Sequence, residues 1–166
     1  MPRRSFRKAP PTEPAFDVGI RLIAGRAHSR AELGRKLSRR GYASADVEAA
    51  AERLLAAGYL GDEAFARGYV RRRSRALGPL AISAELAARG VNRDIADEAL
   101  GGLSPDGQLI SARRLARRLA GDARFASYRE LLHAVGGKLL RRGFSMDVAR
   151  AACQGVWQGT PEDSEA

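Results

Sequence analysis

Residues 29–58 read S-R-A-E-L-G-R-K-L-S-R-R-G-Y-A-S-A-D-V-E-A-A-A-E-R-L-L-A-A-G and describe two helices and the corner between them. Ser29 with Glu32 forms a capping box: the hydroxyl accepts from a free first-turn N–H, and the carboxylate reaches back. Leu33 and Leu37 are four apart and share a face. Gly41 can close the first helix in the left-handed conformation. Ser44 is the cap candidate for the second helix. Val47, Ala50, Ala51, Leu54 and Leu55 mark its apolar stripe, and Gly58 ends it.

The same pattern recurs twice. Around Gly90, Ile82 and Leu86 stand where Leu33 and Leu37 stood, Arg89-Gly90 matches Arg40-Gly41, and Asn92 takes the cap before Ile95. Around Gly143, Val135 and Leu139 form the pair, Arg142-Gly143 the corner, and Ser145 the cap before Val148. The corner glycines are 49 and 53 residues apart. A helical period of about fifty residues indicates an array in which each unit buries its apolar face on its neighbours.

The rest of the chain fills in around these corners. Residues 1–15 carry Arg3, Arg4, Arg7 and Lys8 among prolines, which predicts a disordered basic tail. A first helix is expected from Asp17 to Ala27, with Phe16, Ile20 and Ile23 on one face, completing a three-helix unit over 16–60. In the second unit, 61–101, Asp62 caps a helix to Ala76, and Gly78-Pro79 separates it from the next. Gly101, Gly102 and Ser104-Pro105-Asp106-Gly107 form a linker. The third unit, 105–158, has helices from Asp106 to Ala120, from the capping box Ser127/Glu130 to Arg142, and from Met146 to Trp157. The second of these is about one turn longer than its counterparts. Glu162, Asp163 and Glu165 make residues 159–166 an acidic tail. No segment alternates with period two, so the expected fold class is all-α.

Charge is the most informative global property. The chain has 29 Lys and Arg against 19 Asp and Glu, a formal net charge of +10, which favours a polyanion or an acidic protein surface as partner. Arg67, Arg71 and Arg75 recur at i, i+4 and i+8, and Arg72 and Arg73 widen that stripe. Arg113, Arg114, Arg117 and Arg118 lie nearly opposite Leu109, Ala112, Ala116 and Leu119 on their helix. These two stripes are the candidate binding surface. Phosphate contacts by arginine would give salt-dependent, sequence-tolerant binding. An acidic protein groove would attract the same stripes.

Catalytic and cofactor chemistry find no support. His28 and His133 have no Cys or carboxylate at metal-ligand spacing, so each reads as a packing or solvated residue, and no metal is expected. No phosphate-cradling loop, dinucleotide fingerprint or nucleophile elbow occurs. Cys153 is the one cysteine and reads as a small buried hydrophobe. No apolar run approaches the ~20 residues of a membrane span, and the basic N-terminus lacks a secretory h-region, so a cytoplasmic monomer is expected.

Three runs in order resemble the bacterial RecX regulatory family: R-A-H-S-R-A-E-L-G-R-K-L-S-R-R-G, L-L-A-A-G-Y-L-G-D-E-A-F-A-R-G-Y-V and L-G-P-L-A-I-S-A-E-L-A-A-R-G-V. The resemblance covers residues 17–157 and is strongest over 26–100. It implies three tandem three-helix repeats in an elongated curved body and no catalysis. It implies binding to the RecA recombinase, in the groove of its filament on single-stranded DNA. Filament growth, ATP hydrolysis and strand exchange would be restrained, which would regulate recombinational repair and the SOS response. Two departures matter. Gly61-Asp62-Glu63 stands where the family usually has paired acids before F-A, and the third repeat matches most weakly.

Two other classes compete. Ser29–Leu55 can be read as a DNA-binding helix-turn-helix, but Asp46, Val47, Glu48, Ala49 and Ala50 are poor base readers at the start of a recognition helix. An RNA-binding helical array is equally compatible with the charge. Salt-titrated binding to bare DNA, RNA and RecA filaments discriminates the three.

Overall fold

A computed structural model of the chain describes residues 11–157. Among the described residues there are nine helices and no strand. They are α1 (Ala15–Gly25), α2 (Arg30–Ser38), α3 (Ser44–Ala56), α4 (Asp62–Arg73), α5 (Pro79–Ala88), α6 (Arg93–Gly101) and α7 (Pro105–Ala120). Tyr128–Leu131, Leu132–Gly136 and Gly137–Arg141 run on as α8, and Met146–Gln154 is α9. The fold is an all-α repeat. The chain falls into two compact units: the residues up to Phe65 with Arg89–Asn92, and Ala66–Ala88 with the residues from Arg93 onward.

In the first unit, Leu33, Leu37 and Leu54 are fully buried, with Val47, Ala50 and Ala51 beside them. Leu55, expected in the same stripe, is 48% exposed. The buried face of α1 is Ala15, Val18 and Gly19 rather than Phe16, Ile20 and Ile23, which are only partly covered. Gly19 explains the rotation: a Cβ there would lie 2.7 Å from Leu54 Cδ1, so α1 and α3 meet where a side chain is missing. Phe16 still contributes, because the Arg53 guanidinium sits 4.1 Å from its ring centroid.

The capping chemistry differs from expectation in an informative way. Ser29 Oγ accepts from the Glu32 amide at 3.1 Å, as expected, and donates to the Arg89 carbonyl at 2.6 Å. The Glu32 carboxylate does not turn back, nor does it pair with Arg35 or Lys36. It accepts from Arg89 at 2.6 Å and from Arg26 at 3.3 Å. Asp62 caps α2 instead of its own helix: Oδ1 accepts from the Arg30 amide at 2.8 Å. Helix α4 begins on Asp62, and the Gly61 carbonyl takes its first bond, from the Phe65 amide, at 3.0 Å. Ser44 opens α3 from inside, donating to Glu48, and Ala43 holds the cap position without a side-chain bond.

Residues 1–10 of the expected basic tail and residues 158–166 lie outside the described residues. Residues 11–14 belong to the first unit: Tyr42 OH donates to the Glu13 carbonyl at 2.7 Å, and Glu13 pairs with Arg21.

His28 is buried, with Nδ1 2.7 Å from the Arg26 carbonyl and Nε2 without a hydrogen-bond partner among the described residues. Burial pushes its pKa below the ordinary 6.5. The neutral ring is therefore the folded form. Its stabilisation is complete above pH 6.5 and is lost as pH falls toward the depressed folded value. The melting temperature should drop between about pH 7 and pH 5.5. His28→Gln should flatten that drop, as read by circular dichroism melts against pH; an equally steep drop in the variant would assign it elsewhere.

The second unit holds the larger core. Ala112, Leu115, Ala116, Leu131, Val135, Leu139, Phe144, Ala149, Ala152 and Cys153 are buried between α7, α8 and α9. Cys153 is a buried packing residue, and burial raises its thiol pKa. Ser104, Ser127 and Ser145 each cap a helix by accepting an amide three residues on. Helix α4 stops at Arg73, three residues before the expected end, and α9 stops at Gln154. The extra length of α8 includes a π-helical stretch at Leu132–Gly136. Gly136 sits within it: a Cβ there would lie 2.8 Å from Leu132 Cδ1.

The glycines at the three Arg-Gly corners all have positive φ: 99° at Gly41, 79° at Gly90 and 83° at Gly143. At two of them another segment docks. A Cβ on Gly90 would lie 2.5 Å from Ala31 Cβ on α2, within the first unit. A Cβ on Gly143 would lie 2.2 Å from the Ala81 amide nitrogen on α5, within the second. The preceding carbonyl completes each contact. Arg89 O accepts from Ser29 Oγ, and Arg142 O accepts from the Gly78 amide at 2.8 Å. Ser29 and Gly78 each immediately precede the helix that is being received.

Candidate functional site: two arginine faces

Helix α4 is amphipathic because Phe65, Ala66, Tyr69 and Val70 turn inward. That leaves Arg67, Arg71, Arg72 and Arg75 exposed. Gly68 is part of the design: a Cβ there would lie 3.3 Å from Arg72 Nη1 and 3.7 Å from Arg71 Nη2, so both side chains lie over it. The Arg72 guanidinium is 6.0 Å from the Tyr69 ring centroid.

Arg73, expected to widen the stripe, does not belong to it. Its guanidinium donates to both Glu85 oxygens, at 2.8 and 2.5 Å, and Tyr69 OH donates to Glu85 as well, at 2.8 Å. This hydrogen-bonded pair raises the Arg73 pKa and ties α4 to α5. Arg73 thus holds the face in place instead of presenting charge.

Helix α7 carries the second face. Ala112, Leu115, Ala116 and Ala120 are buried, and Arg113, Arg114, Arg117 and Arg118 are exposed opposite them. Arg113 has one fixed neighbour, Gly155 at the end of α9, whose Cβ would lie 2.7 Å from Nε. Among the described residues, none of the eight candidate arginines forms an ion pair. Side chains that are cationic, close together and unneutralised are suited to bind an anionic surface. Both faces lie in the second unit, on separate helices.

Further basic side chains are exposed at helix C-termini: Arg39 and Arg40 after α2, and Lys138, Arg141 and Arg142 at the end of α8. In the sequence pattern Arg40 and Arg142 stand out only as corner residues. Cations there also oppose the negative end of the helix dipole, so periodicity along one helix does not single them out as a surface. His133 is exposed and His28 buried. Among the described residues no group of His, Cys, Asp and Glu is placed to hold a metal ion, and no helix is long and apolar enough to cross a membrane.

Comparison with known proteins places these features in a family. Residues 15–54 match the family model described as "RecX, first three-helix domain", and residues 62–100 match "RecX, second three-helix domain". A protein named "Regulatory protein RecX" from Chromohalobacter salexigens is 38% identical over 148 residues, covering 87% of this chain and 93% of its own. Its namesake from a strain of Thermus thermophilus is 36% identical over 151 residues, covering 91% and 95%. The crystal structure of RecX from Lactobacillus salivarius superposes with a TM-score of 0.77 over 86% of this chain and 94% of that one, at 24% identity, which speaks to the fold. With relatives this similar over nearly their whole length, the chain belongs to the RecX family of regulatory proteins.

Proposed function

We propose that this protein binds the RecA recombinase, as a filament on single-stranded DNA, and restrains its ATP hydrolysis and strand exchange. Recombinational repair and the SOS response would be regulated through that contact, in the cytoplasm and without catalysis by this chain. The observation that carries the reading is the pair of exposed, un-neutralised arginine faces in a chain of this family. Arg67, Arg71, Arg72 and Arg75 form one contact, and Arg113, Arg114, Arg117 and Arg118 form the other. A filament groove is lined by protein and nucleic acid, and arginine can engage carboxylate and phosphate through the same bidentate geometry.

The repeat organisation supports this use. Repeats over 16–60, 61–101 and 105–158 would present their helices at regular intervals, which suits a partner that is itself periodic. The helix-turn-helix alternative is less well supported. Helix α3 exposes Asp46, Glu48 and Glu52, and three carboxylates facing outward would repel a phosphate backbone.

The test is charge reversal on α7. Arg113→Glu, Arg114→Glu, Arg117→Glu and Arg118→Glu together should leave helicity near wild type, because all four are exposed, and should abolish inhibition of RecA ATPase at concentrations where the parent inhibits. Eight units of charge change on one face outweigh any single hot spot. Full inhibition by a folded variant would remove α7 from the contact.

A further inference from the structure

The α7 face stands next to the place where the described chain ends. Gly155 lies against Arg113, as above. Val156 and Trp157 line, together with Arg117, Ala120 and Gly121, an open cavity of about 310 Å³. On its other side Trp157, Val156, Leu131, Phe125 and Arg124 line a second open cavity of about 600 Å³. Trp157 Nε1 is buried there and makes no hydrogen bond among the described residues. The chain continues as Gln158-Gly-Thr-Pro-Glu162-Asp163-Ser-Glu165-Ala.

We propose that this acidic tail is the intramolecular occupant of the α7 face, where Glu162, Asp163 and Glu165 cover Arg113, Arg114, Arg117, Arg118 and Arg124. The tail would compete with the polyanionic partner for the same arginines. The inference rests in part on the reading of α7 as a binding face, and it adds a regulator of that face.

Three observations select this occupant. The first is sign: the tail carries three carboxylates and no cation, while α7 carries four exposed arginines with no partner among the described residues. The second is reach. Glu162 is five residues beyond Trp157, a span of about 17 Å at full extension, and Trp157 already shares a cavity with Arg117. The third is effective concentration. A tether this short holds the carboxylates near the face at roughly millimolar concentration, so weak exposed pairs are populated without any tight contact. The α4 face has no such neighbour in the sequence: Arg67–Arg75 are followed by Gly78-Pro79 and an uncharged first turn of α5.

The consequence is graded access. At low salt the tail shields α7. A partner with higher charge density, such as a nucleic-acid backbone or an acidic groove, displaces it. Selectivity against weak polyanions follows, because binding must exceed the internal competitor.

The experiment compares the full chain with Glu162→Gln/Asp163→Asn/Glu165→Gln. Side-chain Nε–Hε NMR signals are followed for both arginine faces, and affinity for an oligo-dT single strand is measured on each protein. In the NMR arm the substitutions should shift Arg113, Arg114, Arg117 and Arg118 and leave Arg67, Arg71, Arg72 and Arg75 in place. The difference should vanish near 1 M salt, where the screening length is about 3 Å. In the binding arm the neutralised tail should raise affinity about threefold to tenfold, from three exposed pairs. The same substitutions should do nothing in a chain that also carries Arg113→Gln, Arg114→Gln, Arg117→Gln and Arg118→Gln. Unmoved α7 signals overturn the proposal, and so do equal shifts on both faces, which would mean a general field and no contact. If neither protein binds oligo-dT, the reading of α7 as a nucleic-acid face fails, while the NMR comparison still decides the tail.

Discussion

Gly143→Ala is expected to destabilise the protein by about 4 kcal/mol or more, enough to consume much of the stability of an ordinary domain. Three terms add. Alanine at φ +83° is strained, at a cost of about 1 kcal/mol. The new Cβ would stand 2.2 Å from the Ala81 nitrogen and 2.9 Å from its Cα, so the backbone of α5 itself must retreat. Retreat breaks the bonds from the Gly78 amide to Arg142 O, at 2.8 Å, and from the Leu80 amide to Gly143 O, at 3.2 Å. Each leaves a buried or half-buried group unmatched, at about 1–3 kcal/mol.

Gly58→Ala is the control that separates strain from contact. Its φ of 74° is similar, and nothing lies within 4 Å of the added carbon. Its cost should be near 1 kcal/mol, roughly the strain alone. Urea melts of both variants measure the difference. Equal losses would show that the close approach at Gly143 contributes nothing. Ala81→Gly should rescue little in the double variant, because the nearest obstructing atom belongs to the backbone.

These corners show how much of the molecule is legible in the residues. Leu33 and Leu37, Ile82 and Leu86, and Val135 and Leu139 are spaced as core pairs and are buried as such. The three Arg-Gly corners are visible because positive φ selects glycine. That Gly90 and Gly143 receive another helix is not visible, because a glycine required for φ and one required for closeness are the same letter. Gly19 and Gly68 escape notice for a related reason: their function is the absence of an atom against Leu54 or beneath Arg72. Capping motifs are legible as hydrogen-bond donors and acceptors, but not by partner. Asp62 serves α2, thirty-two residues back in the chain, and no local pattern encodes that distance. The exposure of the arginine faces is legible, since periodicity against an apolar stripe fixes which side looks outward. Arg73 is the exception, because Glu85 lies on another helix.

The ion cluster at the other corner leads to the second large effect. Glu32→Ala should cost about 2–3 kcal/mol at neutral pH, below the ~3–5 kcal/mol of a fully buried pair because both arginines retain partial access to water. Glu32 is 8% exposed, and it accepts from Arg89 and Arg26. Removing it takes the carboxylate away from the Arg89 guanidinium beside α2 and weakens the seating of the Arg89–Gly90 corner, whose carbonyl is held by Ser29. Burial opposes ionisation of this carboxyl. The hydrogen bonds from Arg26 and Arg89 outweigh it, so the pKa lies below the usual 4.5. A depressed carboxylate pKa stabilises the fold above the unfolded value and loses that contribution as pH falls through the folded one. The gap between parent and Glu32→Ala should therefore be constant from about pH 8 to pH 5 and close below about 4.5. Glu32→Gln keeps an acceptor for Arg89 without the charge and should fall between the two near neutral pH. Denaturant melts at about pH 7 and about pH 3.5 settle the matter: a gap of the same size at both values would place the loss in packing and not in the charge pair. Arg89→Ala should lose less than Glu32→Ala, because Arg26 remains to meet the carboxylate, whereas Glu32 is the acid that both arginines share.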